Sequence, residues 1–118
     1  MKRVYSLKEN SAFKYVYRKG KSAANKELVL LFVRQGKLRI GFSVSKKLGG
    51  AVTRNHIKRL LREAVRPKLP SLKCGYYVFI ARSGAVTASC DAMEKSVDNL
   101  LKRQKLYKNT EESKKTSN

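Results

Sequence analysis

Between Gly49 and Arg66 the chain reads GGAVTRNHIKRLLREAVR. At the α-helical advance of about 100° per residue, Arg54, Lys58, Arg62, Asn55, Arg66 and Arg59 fall in one arc of roughly 140°. Ile57, Leu60, Leu61, Ala64 and Val65 take the arc from about 240° round to 20°. The two sets scarcely overlap. A helix of this kind needs another layer under its apolar stripe, while its basic stripe stays open. Like charges three and four residues apart destabilise a helix by about 0.2–0.5 kcal/mol per pair. Glu63 is the only acid in the segment to relieve them. Ordinary solvated faces mix the two signs, so this one points to a polyanion.

The whole chain carries the same imbalance. Lys and Arg number 28 against 8 Asp and Glu, a formal net charge of +20 in 118 residues. Such an excess opposes compaction unless an oppositely charged partner offsets it. The phosphate backbone of nucleic acid is the leading partner, because its neutralisation also releases counterions. An anionic membrane surface is the rival. No apolar run approaches the ~20 residues of a membrane span. The N-terminal MKRVYSLKENSAFKY lacks the apolar core of a secretory signal, so the expected compartment is the cytoplasm. Cys74 and Cys90 match no metal-ligand spacing, and both are expected to be small buried or partly buried thiols. Hydrophobic residues make up 42%, enough for one core. The expected organisation is a single domain over 1–108 and a polar tail over 109–118.

Asn10 to Lys19 is predicted as a short helix stopped by Gly20, with Phe13, Val16 and Tyr17 on one face. Leu28 to Val33 is almost continuously apolar, as in a strand covered on both sides. After the Gln35-Gly36-Lys37 turn, Leu38, Ile40, Phe42 and Val44 alternate with more polar or small residues, a half-buried strand. The short loop between these strands predicts an antiparallel pair. The basic helix is expected from Val52 or Thr53, bounded by Pro67 and Pro70. GYYVFIA (75–81) reads as another buried strand. A last helix over about Ser89 to Arg103 turns Met93, Val97, Leu100 and Leu101 inward. The residues after Lys105 lack periodicity and are expected to be loose. The fold class is therefore α+β, one sheet with helices against it.

Two further patterns bear on chemistry. Phe13 and Tyr17, a helical turn apart, stand among Lys14, Arg18 and Lys19. Aromatics interleaved with cations suit unpaired nucleic acid, where bases stack and phosphates are neutralised. The same pair also suits two core anchors. Asn55 is either a polar RNA contact or a helix cap, and Gly49-Gly50 either a simple turn or a close backbone approach. The carboxylates form no compact pair, and His56 is the only histidine. No catalytic residue and no metal ligand is assigned to the chain itself.

FSVSKKLGGAVTRNHIKRLLREAVR, followed by GYYVFIAR, resembles the protein subunit of bacterial ribonuclease P. The likeness extends from about Ser6 to Tyr107. It implies a two-layer α/β sandwich, helix-strand-strand(-strand)-helix-strand-helix, with a left-handed β-α-β crossover through the basic helix. It also implies a catalytic RNA partner in a 1:1 ribonucleoprotein, no membrane, and removal of the 5′ leader of precursor tRNA. Hydrolysis would be carried by the RNA, with Mg2+ held mainly by RNA. Carried over by position, the catalytic-RNA contacts are Ser45, Lys46, Lys47, Arg54, Asn55, Lys58, Arg59, Arg62 and Arg66. The leader contacts are Phe13, Tyr17, Lys14 and Leu31, with Leu31 where the family often has an aromatic. A structural RNA-binding protein of ribosomal type, or a protein that compacts nucleic acid without sequence preference, would share the charge but need no aromatic cleft.

Overall fold

The computed structural model describes residues 5–7 and 10–108. Along the chain lie α1 (Asn10–Lys19), β1 (Lys21–Ala24), β2 (Leu28–Val33), β3 (Leu38–Ser43), α2 (Ala51–Val65), β4 (Gly75–Ala81) and α3 (Cys90–Arg103). Short 3-10 turns at Lys46–Leu48, Arg66–Ser71 and Ser83–Ala85 link them. α1 ends as its sequence predicts, with the Gly20 N–H donating to the Val16 carbonyl at 2.7 Å. At the start of α3 the Ser89 hydroxyl accepts from the Ala92 N–H and caps the helix.

The sheet runs β1-β2-β4-β3. β2 and β3 therefore do not pair, contrary to the hairpin their short loop predicts. β4 lies between them, antiparallel to β2 (Leu31↔Val78) and parallel to β3 (Gly41↔Val78). Burial decides this. Val78 and Phe79 are fully buried on opposite faces of β4, and a central position covers both faces while pairing both backbone edges. A parallel neighbour needs a long crossover, and α2 supplies it. β1, preceding the apolar run, adds the outer strand.

The two faces of the sheet are covered differently. Leu28, Leu30, Ile40, Tyr77 and Phe79 point toward α2 and α3 and form the main core with Ile57, Leu61, Met93, Val97 and Leu100. The expected sandwich of helices on sheet is this layer pair. On the other face α1 lies alone, as a partial third layer over Leu31, Val33 and Val78.

Three local expectations are corrected. α2 begins at Ala51, before Val52, because Gly50 serves as its N-cap. Leu106 and Tyr107 are not loose: Leu106 is buried, its carbonyl accepts from the Lys73 N–H, and Tyr107 bridges to Leu72 and hydrogen-bonds Asp98. An apolar residue and a phenol suffice to anchor a segment that has no periodicity. Cys74 and Cys90 are both exposed free thiols, one in the turn before β4 and one at the first position of α3. The tail expected over 109–118 lies outside the described residues.

Candidate nucleic-acid interface

The apolar arc of α2 buries Ile57, Leu60, Leu61, Ala64 and Val65. That seats the basic arc outward. Asn55, Arg59, Arg62 and Arg66 are exposed, and Arg54 and Lys58 are half-buried at the edge of the stripe. Arg66 caps the helix C-terminally and starts the following 3-10 turn. Asn55 sits one turn inside α2, so the cap reading does not apply to it.

Intramolecular partners engage only part of this ridge. The Arg54 Nε donates to the Gly49 carbonyl at 3.2 Å. Gly49 itself has φ 145°, and a Cβ there would lie 2.9 Å from the Thr53 Cβ. Glycine is thus required at Gly49, to aim the helix, whereas a side chain at Gly50 would meet open space. Arg59 pairs with Glu63 at 3.3 Å, but its side chain remains 72% exposed. An exposed i,i+4 pair contributes only ~0.3–0.5 kcal/mol, so a phosphate can compete for this guanidinium. Ahead of α2, the Ser45 hydroxyl accepts from the Lys47 N–H at 3.1 Å, and Lys46 and Lys47 stand exposed in the turn it caps.

On the opposite face, α1 crosses the sheet at the level of Leu31, Val78 and Gly41. Phe13 lies directly on Gly41: a Cβ there would come 2.5 Å from the Phe13 Cζ. The missing side chain makes the seat for the ring. Phe13 and Tyr17 follow one another with centroids 6.4 Å apart and planes tilted by 38°. Tyr17 is 48% exposed, so this pair is not a pair of core anchors. A groove of about 390 Å³ runs along them, lined by Asn10, Phe13, Lys14, Tyr17, Phe42 and Ser43. A second pocket, about 210 Å³, shares Phe13 and Phe42 and is lined also by Lys58 and Arg62 of α2. The aromatic groove thus turns round the β3 edge onto the basic ridge. Leu31 lines neither pocket; it is buried beneath α1 with Val16 and supports the helix that presents the aromatics.

Sequence reasoning missed Gly41, Phe42, Ser43 and Asn10 as parts of this surface. Gly41 carried the available signal, a glycine inside an alternating strand, which marks a close approach.

The carboxylates of α3 lie away from these surfaces. Asp91, Glu94 and Asp98 of α3 face Lys95, Lys68 and Lys102, a mixed-sign surface of the ordinary kind. Burial pushes the Asp98 carboxyl up, but hydrogen bonds from Tyr107 and Lys102 and the Lys102 and Lys68 charges outweigh it and hold the group below its usual value. Among the described residues no group of three His, Cys, Asp or Glu side chains is placed to hold a metal ion. No helix of the described residues is long and apolar enough to cross a membrane.

Residues 1–105 match the family described as Ribonuclease P. The chain is 42% identical over 114 residues to the ribonuclease P protein component of Oceanobacillus iheyensis, covering 93% of this chain and 94% of that one. Its fold matches the RNase P protein of Staphylococcus aureus with a TM-score of 0.83 at 34% identity, covering 89% and 99% of the two chains. A Staphylococcus aureus mutant described as having defective mRNA degradation activity matches with a TM-score of 0.82 at 35% identity, covering 86% and 89%. By sequence along most of its length, and by the fold that carries the ridge and the groove, this chain belongs to the ribonuclease P protein family.

Proposed function

We propose that this subunit of ribonuclease P, a tRNA-processing enzyme, works by holding two RNA segments on two connected surfaces. The α2 ridge, with Lys46 and Lys47, neutralises phosphates of the catalytic RNA. The α1 groove takes the unpaired 5′ leader of precursor tRNA, with bases against Phe13 and Tyr17 and Lys14 beside the backbone. The observation that carries this reading is the continuity of the groove with Lys58 and Arg62 around the β3 edge. A leader held there would lie beside the RNA bound on α2.

The donor set of these surfaces does not fit a divalent cation held by this chain: it offers cations, aromatics and amides, and its acid, Glu63, is paired with Arg59. In this proposal Mg2+ is held by RNA, hydrolysis belongs to the RNA, and the protein acts as a monomer in a 1:1 cytoplasmic ribonucleoprotein. Fewer repelling phosphates near the reaction site lower the Mg2+ needed.

The test mixes the protein, the catalytic RNA and labelled precursor tRNA at low Mg2+. Correct 5′ cleavage is expected only with both macromolecules present. Cleavage by the protein alone would overturn the assignment of hydrolysis to RNA; the activity named for the Staphylococcus aureus protein makes that arm necessary. For the groove, Phe13→Ala is expected to weaken binding of precursor tRNA about fivefold or more, the lower range for one stacked base, with mature tRNA little affected. Equal losses for the two would remove leader recognition from this groove.

A further inference from the structure

α1 divides its face of the sheet into two strips, and the proposed leader groove uses only one. The helix crosses at the Leu31–Val78–Gly41 level, with Val16 buried beneath it. Relative to Val16, Phe13 projects about 60° to one side and Tyr15 about 100° to the other, at 100° per residue. The strip on the Tyr15 side is the lower row of the sheet: Val33, Tyr76 and Arg39, neighbours in register on β2, β4 and β3. Tyr15 and Tyr76 both pack against the α1-face core while remaining half-buried, so each keeps ring surface open. Arg39 sits beside Tyr76, and Lys19, Arg34 and Lys37 are exposed at the same end.

The outer surface of α1 joins the two strips. From Tyr17, at about 40° from Phe13, the helix presents Lys14 near 100°, Arg18 near 140°, Tyr15 near 200° and Lys19 near 240°. Lys14, Arg18 and Lys19 are all exposed. No Asp or Glu occurs between Asn10 and Lys26, or between Glu27 and Glu63. Aromatics and cations thus alternate around the helix, with no acid on α1 or on β3 to interrupt them.

We propose that the Tyr15–Tyr76–Arg39 strip is a second single-strand RNA site that takes the 5′-distal nucleotides of the leader after they pass over Lys14 and Arg18. Unpaired RNA is the occupant these residues fit: two rings for stacking, with exposed cations around them to meet the phosphates. A distal leader is the favoured source because the cationic outer face of α1 connects this strip directly to the Phe13–Tyr17 groove. The inference rests on the leader reading of that groove.

The experiment measures binding of precursor tRNAs to the assembled protein–RNA complex, with one leader just long enough to fill the first groove and one several nucleotides longer. The unmodified complex is expected to bind the longer leader more tightly. Tyr15→Leu and Tyr76→Leu, which keep apolar packing but remove the stacking ring, are expected to lower long-leader affinity about fivefold or more and to leave short-leader affinity unchanged. Tyr15→Phe and Tyr76→Phe are expected to keep the long-leader advantage, which separates stacking from a structural role of the rings. Equal losses for both leaders in the Leu variants would assign the strip to the catalytic RNA or to stability, and would overturn the proposal. So would unchanged binding of both. Phe13→Ala distinguishes this failure from failure of the underlying reading: if it leaves precursor and mature tRNA equally bound, the first groove is not a leader site at all.

Discussion

The two faces of the sheet differ in how completely helices cover them. α2 and α3 each bury five residues against their face, whereas α1 buries only Val16. The first face is a sealed core. The second is a core with open margins, along which Phe13, Tyr15 and Tyr76 stay half-buried. The helices differ in charge as well: α3 carries Asp91, Glu94 and Asp98, each paired to a lysine, while α1 has no acid. Both faces carry a binding surface, but of different kinds: α2 turns a basic ridge outward from a closed core, whereas the α1 face keeps its aromatics along open margins.

The largest expected effect breaks or sustains that contrast directly. Leu100→Ala, in the sealed core, is expected near the upper end of the ~2–5 kcal/mol range for such truncations, and Leu31→Ala nearer the lower end, because α1 can settle into the space. Urea unfolding of both variants checks this, and equal costs would mean that the faces are packed alike. Next in size, Gly41→Ala is expected to weaken precursor binding about fivefold or more with a smaller change in stability, since its methyl must displace the Phe13 ring and only crowds the buried Leu7, whose Cβ would lie 3.3 Å away. Unaltered precursor affinity would show that the Phe13 seat is irrelevant to binding.

Tyr107→Phe is expected to cost about 1–2 kcal/mol, the scale of a hydrogen bond to a partly screened charged acceptor. Its pH dependence has a definite sign. The Asp98 carboxyl is held below its usual value when folded, so its contribution is present above the ordinary Asp pKa of ~3.9 and is lost as pH falls toward the lowered one. Thermal melts through acid pH should therefore show the variant's deficit shrinking as pH falls; a deficit that grows with acid would contradict the assignment. The smallest effects lie on the ridge. Arg59→Ala is expected to reduce the slope of log affinity against log salt by roughly one unit. Glu63→Gln is expected to strengthen RNA binding by a few tenths of a kcal/mol by releasing Arg59. Weaker binding by Glu63→Gln would indicate that the pair orients Arg59 rather than competing with RNA.

Much of this was legible in the residues. Segregated arcs on α2 implied a buried stripe and an open ridge, and both are present, because helical periodicity places side chains by rotation alone. The ends of α1, the register of apolar residues on α3 and the alternation along β3 follow from equally local rules. Strand order does not. The short Gln35-Gly36-Lys37 loop favoured pairing β2 with β3, yet β4, distant in sequence, enters between them. The exposure of Cys74 and Cys90, and the docking of Leu106 and Tyr107, likewise depend on neighbours brought in by the fold.

The sequence by itself determined a cationic α+β protein whose central helix is greasy on one side and basic on the other. Only the tertiary structure decided that Phe13 rests on Gly41, that Leu31 lies beneath α1, and that the aromatic groove meets Lys58 and Arg62 at the β3 edge. Periodicity is a property of consecutive residues, whereas a site assembled from α1, β3 and α2 exists only after long-range burial has chosen which strands are neighbours.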